Sequence, residues 1–139
     1  MRIRKTVLAG AVALAGLGTA LSTTGTAHAG SSGSAAVECA SGYACLYYNS
    51  NFSGAVYRQY TAISNYDGYY FVASSKGSAG AGSSVKNNAA SVDNWDFAFG
   101  IRIYYNSNYG GVSQSIGAGG TANLNASLKN QNASGHFYS

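Results

Sequence analysis

Apolar positions along this chain fall into two kinds of run. The first is continuous over 7–21, with Arg2, Arg4 and Lys5 ahead of it and the small-residue site Ala27-His28-Ala29 behind it. About 15 apolar and small residues are too few for a membrane-crossing helix, which needs roughly 20. Basic, apolar and small segments in that order read as a secretory signal. Residues 1–29 are therefore expected to be cleaved on export by the general route, since Arg2 and Arg4 are not adjacent. From Cys45 onward the pattern changes: aromatic and β-branched residues come in short runs broken by Gly and Asn, which predicts strands and turns. In Ile101-Arg102-Ile103-Tyr104 the two isoleucines fall on one face and Arg102 on the other, and Ala44, Leu46 and Tyr47 take matching places earlier. Each strand runs into Asn-Ser-Asn, residues that tolerate turn conformations. No sustained helical spacing follows the signal, so an all-β fold is expected.

The strand-and-turn pattern repeats. LYYNSNFSG at 46–54 returns as IYYNSNYGG at 103–111, 57 positions later. A second pair, VKNNAASVDNW from Val85 and LKNQNASGHFY from Leu128, matches Lys86 with Lys129, Asn87 with Asn130 and Ser91 with Ser134. Each half thus reads as a strand, an aromatic hairpin, a second strand, a variable stretch and a last strand carrying Ser. Gly54 lies 37 residues before Ser91 and Gly111 only 23 before Ser134, so the first half holds 14 extra residues, placed within 61–84. That stretch includes DGYYFVAS, which reads as a third strand with alternate rings buried. If its rings are exposed instead, Tyr66, Tyr69, Tyr70 and Phe71 are candidates for stacking on sugars.

Charge matters mainly through cleavage. Eight basic and four acidic residues give +4, but Arg2, Arg4 and Lys5 leave with the signal while every acidic residue stays, so the mature chain carries +1. That excludes the basic footprint of a nucleic-acid binder and a polybasic membrane anchor. Residues 30–37 are small and polar and are expected to be a disordered leader; 38–139 suit one domain, expected to be monomeric. Cys39 and Cys45, in CASGYAC, are expected to pair in an exported chain, stabilising it by about 2–3 kcal/mol on the chain-entropy model. A zinc site would need further soft ligands, which the sequence does not supply.

Tyr47 or Tyr104, six residues, then Gly54 or Gly111, with Phe52 or Tyr109 two places before the glycine and Ser91 or Ser134 on a later strand, resembles the βγ-crystallin Greek key signature. The resemblance implies two Greek keys, about 39–95 and 96–139, packed as a sandwich that buries the inner faces of both sheets. The hairpin folds over its sheet, the two aromatics pack together, and the glycine takes a conformation that a Cβ penalises. Within that fold, CASGYACLYYNSNFSG is similar to secreted actinobacterial proteins of the Streptomyces metalloproteinase inhibitor family, over about 39–138. This implies a non-enzymatic extracellular protein whose partner is a thermolysin-like metalloprotease, blocked by a rigid, substrate-like loop. In that family a second disulfide braces the loop, whereas the corresponding segment here, 93–100, has no cysteine. Its candidate contacts are Trp95, Asp96, Phe97, Ala98 and Phe99. An extended loop enters a cleft at little ordering cost, and Phe97 or Phe99 offers the bulky side chain such proteases accept. The competing expectation is that these rings are buried at the junction between motifs.

Many βγ-crystallin domains bind calcium through Asn/Asp-Asn/Asp-x-x-Ser/Thr-Ser. Asn87-Asn88-Ala89-Ala90-Ser91-Val92 meets five of six places, and Asn130-Gln131-Asn132-Ala133-Ser134-Gly135 fewer. Neither carries a carboxylate, from which calcium sites gain affinity, so no cofactor is expected and Asn87, Asn88, Ser91, Asn130 and Ser134 remain weak calcium candidates. Otherwise the serines bond the adjacent hairpin. The alternative function is a calcium- or glycan-binding module acting at cell surfaces, like killer-toxin-like relatives of the fold. Catalysis is not expected: after cleavage the sole His is His136, expected to be solvated near the C-terminus, Glu38 adjoins the leader, and Asp93 and Asp96 read as surface charges.

Overall fold

The computed structural model describes residues 35–139; the expected signal and most of the expected leader lie outside the described residues. Seven strands follow in order: β1 (Ala44–Asn49), β2 (Ser53–Gln59), β3 (Ser91–Asn94), β4 (Gly100–Asn106), β5 (Gly110–Ile116), β6 (Thr121–Asn123) and β7 (Ser134–Tyr138). They form two antiparallel sheets, β2-β1-β3-β6 and β5-β4-β7. The alternation expected for β4 holds, with Ile101 and Ile103 fully buried and Arg102 half-exposed. Those isoleucines meet Leu46, Val92, Ile116, Leu124 and Leu128 between the sheets. Cys45, Tyr47 and Val56 make a second cluster, on which Phe52 and Tyr43 pack.

The repeated string builds the same hairpin twice. The register shifts between Tyr47 and Asn49 in one copy and between Tyr104 and Asn106 in the other. Phe52 and Tyr109 take φ of 57° and 60°, and Gly54 and Gly111 take φ of 85° and 80°. A Cβ on Gly54 would lie 3.0 Å from the Ala79 carbonyl, and one on Gly111 2.8 Å from the Asn106 amide, so glycine is required by conformation and by space. Ser91 Oγ accepts from the Phe52 N–H at 3.0 Å and donates to the Asn49 carbonyl at 2.6 Å. Ser134 repeats both bonds with Tyr109 and Asn106, at 3.0 and 2.6 Å.

The third strands trade places. β6, from the second half, completes the first sheet beside β3. In the first half the corresponding place is taken by Ile63, which exchanges two backbone hydrogen bonds with Gly135 of β7, at 2.9 and 3.0 Å. The strand expected in DGYYFVAS is therefore absent. That segment belongs to the extra residues, which make only isolated bridges, such as Val56 with Val72, and lie along the outer edge of β2. Its rings do not alternate: Phe71 is buried, whereas Tyr69 and Tyr70 are both exposed. Val37, expected in a disordered leader, is tied in by its N–H to the Ala73 carbonyl at 3.2 Å.

Candidate functional site

The connection from β3 to β4 carries the five loop candidates. Its rings are not core residues, contrary to the burial expectation: Trp95, Phe97 and Phe99 are 41%, 68% and 46% exposed. The sandwich closes with the isoleucines of β4 and Val92 of β3, leaving no room inside for rings on the linker between them. Nor is the segment extended, since the chain bends at Phe97 and Ala98. The cause is Asp96, whose Oδ1 accepts from the N–H groups of Ala98 and Phe99 at 2.8 and 2.9 Å. A carboxylate bonding the backbone two and three residues on stabilises a turn over an extended chain.

Both ends of the turn are pinned. Asn94 is buried; its amide donates to the carbonyls of Phe99 at 2.9 Å and Gly117 at 3.0 Å, and its Oδ1 accepts from the Asp96 N–H at 3.1 Å. One amide thus ties the start of the turn to its end and both to the second half of the domain. On the other side, Trp95 exchanges backbone hydrogen bonds with the Cys39–Cys45 loop, its N–H to the Tyr43 carbonyl at 2.8 Å and its carbonyl from the Gly42 N–H at 2.9 Å. The expected disulfide between Cys39 and Cys45 is formed. It braces the turn indirectly, in a segment that has no cysteine of its own. The Trp95 indole donates to Asp93 Oδ2 at 2.9 Å, and the Phe97 ring lies over Gly119, where a Cβ would come within 3.0 Å. Asp93 and Asp96 are thus occupied in holding the turn.

Beside the turn runs an open groove of about 540 Å³, with Asp96, Phe99, Phe137 and Tyr138 among the residues on its walls and Tyr60, which is 70% exposed, opposite them. Arg102 covers the Tyr138 ring at 4.9 Å. Outside the groove, Tyr57 packs against the core and has its phenol pushed up to about 12, chiefly by burial, with the neighbouring phenols of Tyr69 and Tyr60 adding to the shift. Sequence reasoning missed Asn94, Tyr43 and Tyr60. The only local signal was Asn94 standing between a strand and an exposed Asp-capped turn, a place where a polar side chain can reach both.

Of the weak calcium candidates, Asn87 lines one polar hollow and Asn88 and Asn130 another, while Ser91 and Ser134 line neither. Lys86 and Asn87 face Asn106 and Ser107 of the second hairpin across about 220 Å³. Lys129 and Asn130 face Asn49 and Ser50 of the first across about 300 Å³, with Asn88 on the wall. Neither hollow is lined by a carboxylate, each carries a lysine, and the hydroxyls of Ser91 and Ser134 are spent on the hairpins. Amide and hydroxyl oxygens are therefore present in both hollows, without the carboxylates from which calcium sites gain affinity.

The remaining candidates also separate. His136 is half-buried rather than fully solvated: its ring stacks on Tyr104 at 5.4 Å and meets Tyr109 edge-on at 5.1 Å. Its Nδ1 bonds the Phe137 carbonyl at 2.8 Å, which can only accept, so in the neutral ring Nε2 accepts from the Tyr104 hydroxyl at 2.9 Å. Of the sugar-stacking candidates, Tyr66 and Phe71 are core. The Tyr66 hydroxyl donates to Gln59 Oε1 at 2.6 Å, and Gln59 in turn donates to the carbonyls of Thr61 at 2.9 Å and Gly135 at 2.8 Å.

Comparison with known proteins adds to this geometry. The model of a family described as Peptidase inhibitor family I36 matches residues 33–116. Among solved structures, the chain is similar to one described as "Evolution of the eye lens beta-gamma-crystallin domain fold", at 13% identity over 76% of this chain and 94% of that one, with a TM-score of 0.58. It is also similar to a βγ-crystallin from an archaeon, at 17% identity over 71% of this chain and 100% of that one, with a TM-score of 0.49. No curated protein matches. At 13% identity the first likeness concerns the fold, a βγ-crystallin-like sandwich.

Proposed function

Since the chain belongs to peptidase inhibitor family I36, its partner is a peptidase and its mode of action is binding, and we propose that it blocks a thermolysin-like metalloprotease by seating the turn at Phe97 in the active-site cleft. The single observation that carries this reading is an exposed aromatic turn whose two ends are pinned by a buried amide. A turn already held in one conformation loses little entropy on binding. Phe97 is the most exposed of its rings, and among the described residues its backbone N–H and carbonyl make no hydrogen bond, so both are free to pair with the cleft. Phe99 has its N–H on Asp96 and its carbonyl on Asn94; it supports the apex. The disulfide suits an extracellular setting, where such a partner would be met after export.

The test is a rate measurement with thermolysin and a peptide substrate. Micromolar mature protein lowers the rate, and Phe97→Ala restores it; an unchanged rate at micromolar protein refutes the reading. The exposed rings of Tyr69 and Tyr70 favour one second reading, a glycan-binding surface, which predicts quenching of tyrosine fluorescence on titration with soluble oligosaccharides. The calcium form of that reading predicts a higher Tm in millimolar calcium.

A further inference from the structure

We propose that the groove between Tyr60 and Phe99 is a second contact of the peptidase interface, receiving an apolar side chain from the rim of the cleft, with Tyr60 as its anchor. The inference rests on the reading of the Phe97 turn and extends it to a residue from another strand connection. Asp96 and Phe99 belong to both features, so the groove is continuous with the turn.

Tyr60 has the character of an anchor. It is the most exposed of the large apolar side chains among the described residues, yet its base is held on both sides. Gln59, before it, is fully buried and donates to the carbonyls of Thr61 and Gly135 at 2.9 and 2.8 Å, so the backbone flanking Tyr60 is fastened to β7. Its ring meets Tyr43 edge-to-face at 5.8 Å. Tyr43 is itself covered by the Arg58 guanidinium at 5.0 Å, and Arg58 donates to the Glu38 carbonyl at 3.2 Å. The Tyr43 carbonyl accepts from Trp95, so the platform under Tyr60 also carries the turn. A rigid aromatic ring with a polar tip contributes large contact area at low entropic cost, the usual character of an interface hot spot.

The occupant is a peptidase rather than a sugar or a second copy of this chain. The family match supplies that partner, and Phe99, Phe137 and Tyr138 give the groove apolar surface for its side chain, beside the polar Thr61, Asp96 and Ser139. Because the groove lies beside the apex, Tyr60 acts on which peptidases are held, while Phe97 acts on whether the cleft is filled.

The experiment measures inhibition constants of wild type, Tyr60→Ala, Tyr60→Phe and Phe97→Ala against thermolysin and several other metalloproteases, with Tm and solution mass recorded for each variant. Tyr60→Ala is expected to raise Ki about 10-fold, or about 1.4 kcal/mol, mainly by faster dissociation and unequally across the panel, with Tm unchanged and Tyr60→Phe close to wild type. If Phe97→Ala abolishes inhibition while Tyr60→Ala stays within about twofold of wild type on every peptidase, the groove proposal is overturned and the turn reading stands. If Tyr60→Ala weakens inhibition and Phe97→Ala does not, the turn reading falls and the groove remains. A wild type that inhibits none of them overturns both, and a dimer dispersed by Tyr60→Ala makes the occupant a second copy, which also overturns the proposal.

Discussion

Asn94→Ala removes the amide that closes the turn. Three hydrogen bonds go with it: to the carbonyls of Phe99 and Gly117, and from the Asp96 N–H. A net intramolecular hydrogen bond contributes about 1 kcal/mol, and a buried group left unpaired costs more. Phe99 and Gly117 are both exposed residues, so their carbonyls regain water and the loss stays near the lower bound, about 2–3 kcal/mol. A domain of this size holds roughly 5–15 kcal/mol, so the variant still folds. At about 4–5 °C per kcal/mol for a domain near 100 residues, its Tm falls by about 10 °C. The released turn must then be ordered by the peptidase, and about 2 kcal/mol of that cost raises Ki about 30-fold. A loosened turn is also a substrate, so mass spectrometry after incubation with peptidase should find a cut within 95–99 that the wild type resists. Asn94→Asp keeps the acceptor for Asp96 but loses both donors, and should resemble Asn94→Ala at neutral pH. A melt within about 2 °C of wild type, with Ki unchanged and no cleavage, would show that the amide does not hold the turn.

Other measurements test the fold around the site. Ser134→Ala removes the two bonds that close the second hairpin, and denaturant unfolding should show about 2–3 kcal/mol lost, with Ser91→Ala equivalent; a loss under about 0.5 kcal/mol would deny the serines this role. Reducing Cys39–Cys45 with a dithiol should cost about 2–3 kcal/mol and speed hydrogen exchange at the Trp95 and Gly42 amides, which pair across that loop; unchanged exchange there would separate the disulfide from the turn. Tyr57 is raised to about 12, first by burial, and Tyr66 well above its usual value of 10.0, first by complete burial. The unfolded chain releases these protons near 10 while the folded chain keeps them, so stability is full below about pH 10 and falls as pH climbs towards 12. Phenolate absorbance should show tyrosines that ionise late, together with unfolding; a single ordinary wave for all 12 tyrosines would contradict the burial.

The two hairpins were legible from their own residues. Their information is local: Tyr47 to Gly54 and Tyr104 to Gly111 contain the aromatic corner, the positive-φ residues and the glycine that one turn needs. Repetition then determined that there are two such units and that Ser91 and Ser134 are equivalent, and the all-β class followed from the runs between them. Whether Trp95, Phe97 and Phe99 point inward or outward was not local information. It depended on β3 and β4 filling the space between the sheets with Val92, Ile101 and Ile103. The clamp at Asn94 joins residues 23 apart, and the Trp95 pairing reaches back to the Cys39–Cys45 loop. The exchange of third strands, which displaced the strand expected in DGYYFVAS, is likewise a contact between halves, of Ile63 with Gly135 and of β6 with β3. Turn chemistry is decided by neighbours along the chain. Exposure, bracing and the joining of Tyr60 to Phe99 across one groove are decided by which distant segments pack together, and only the tertiary structure holds that.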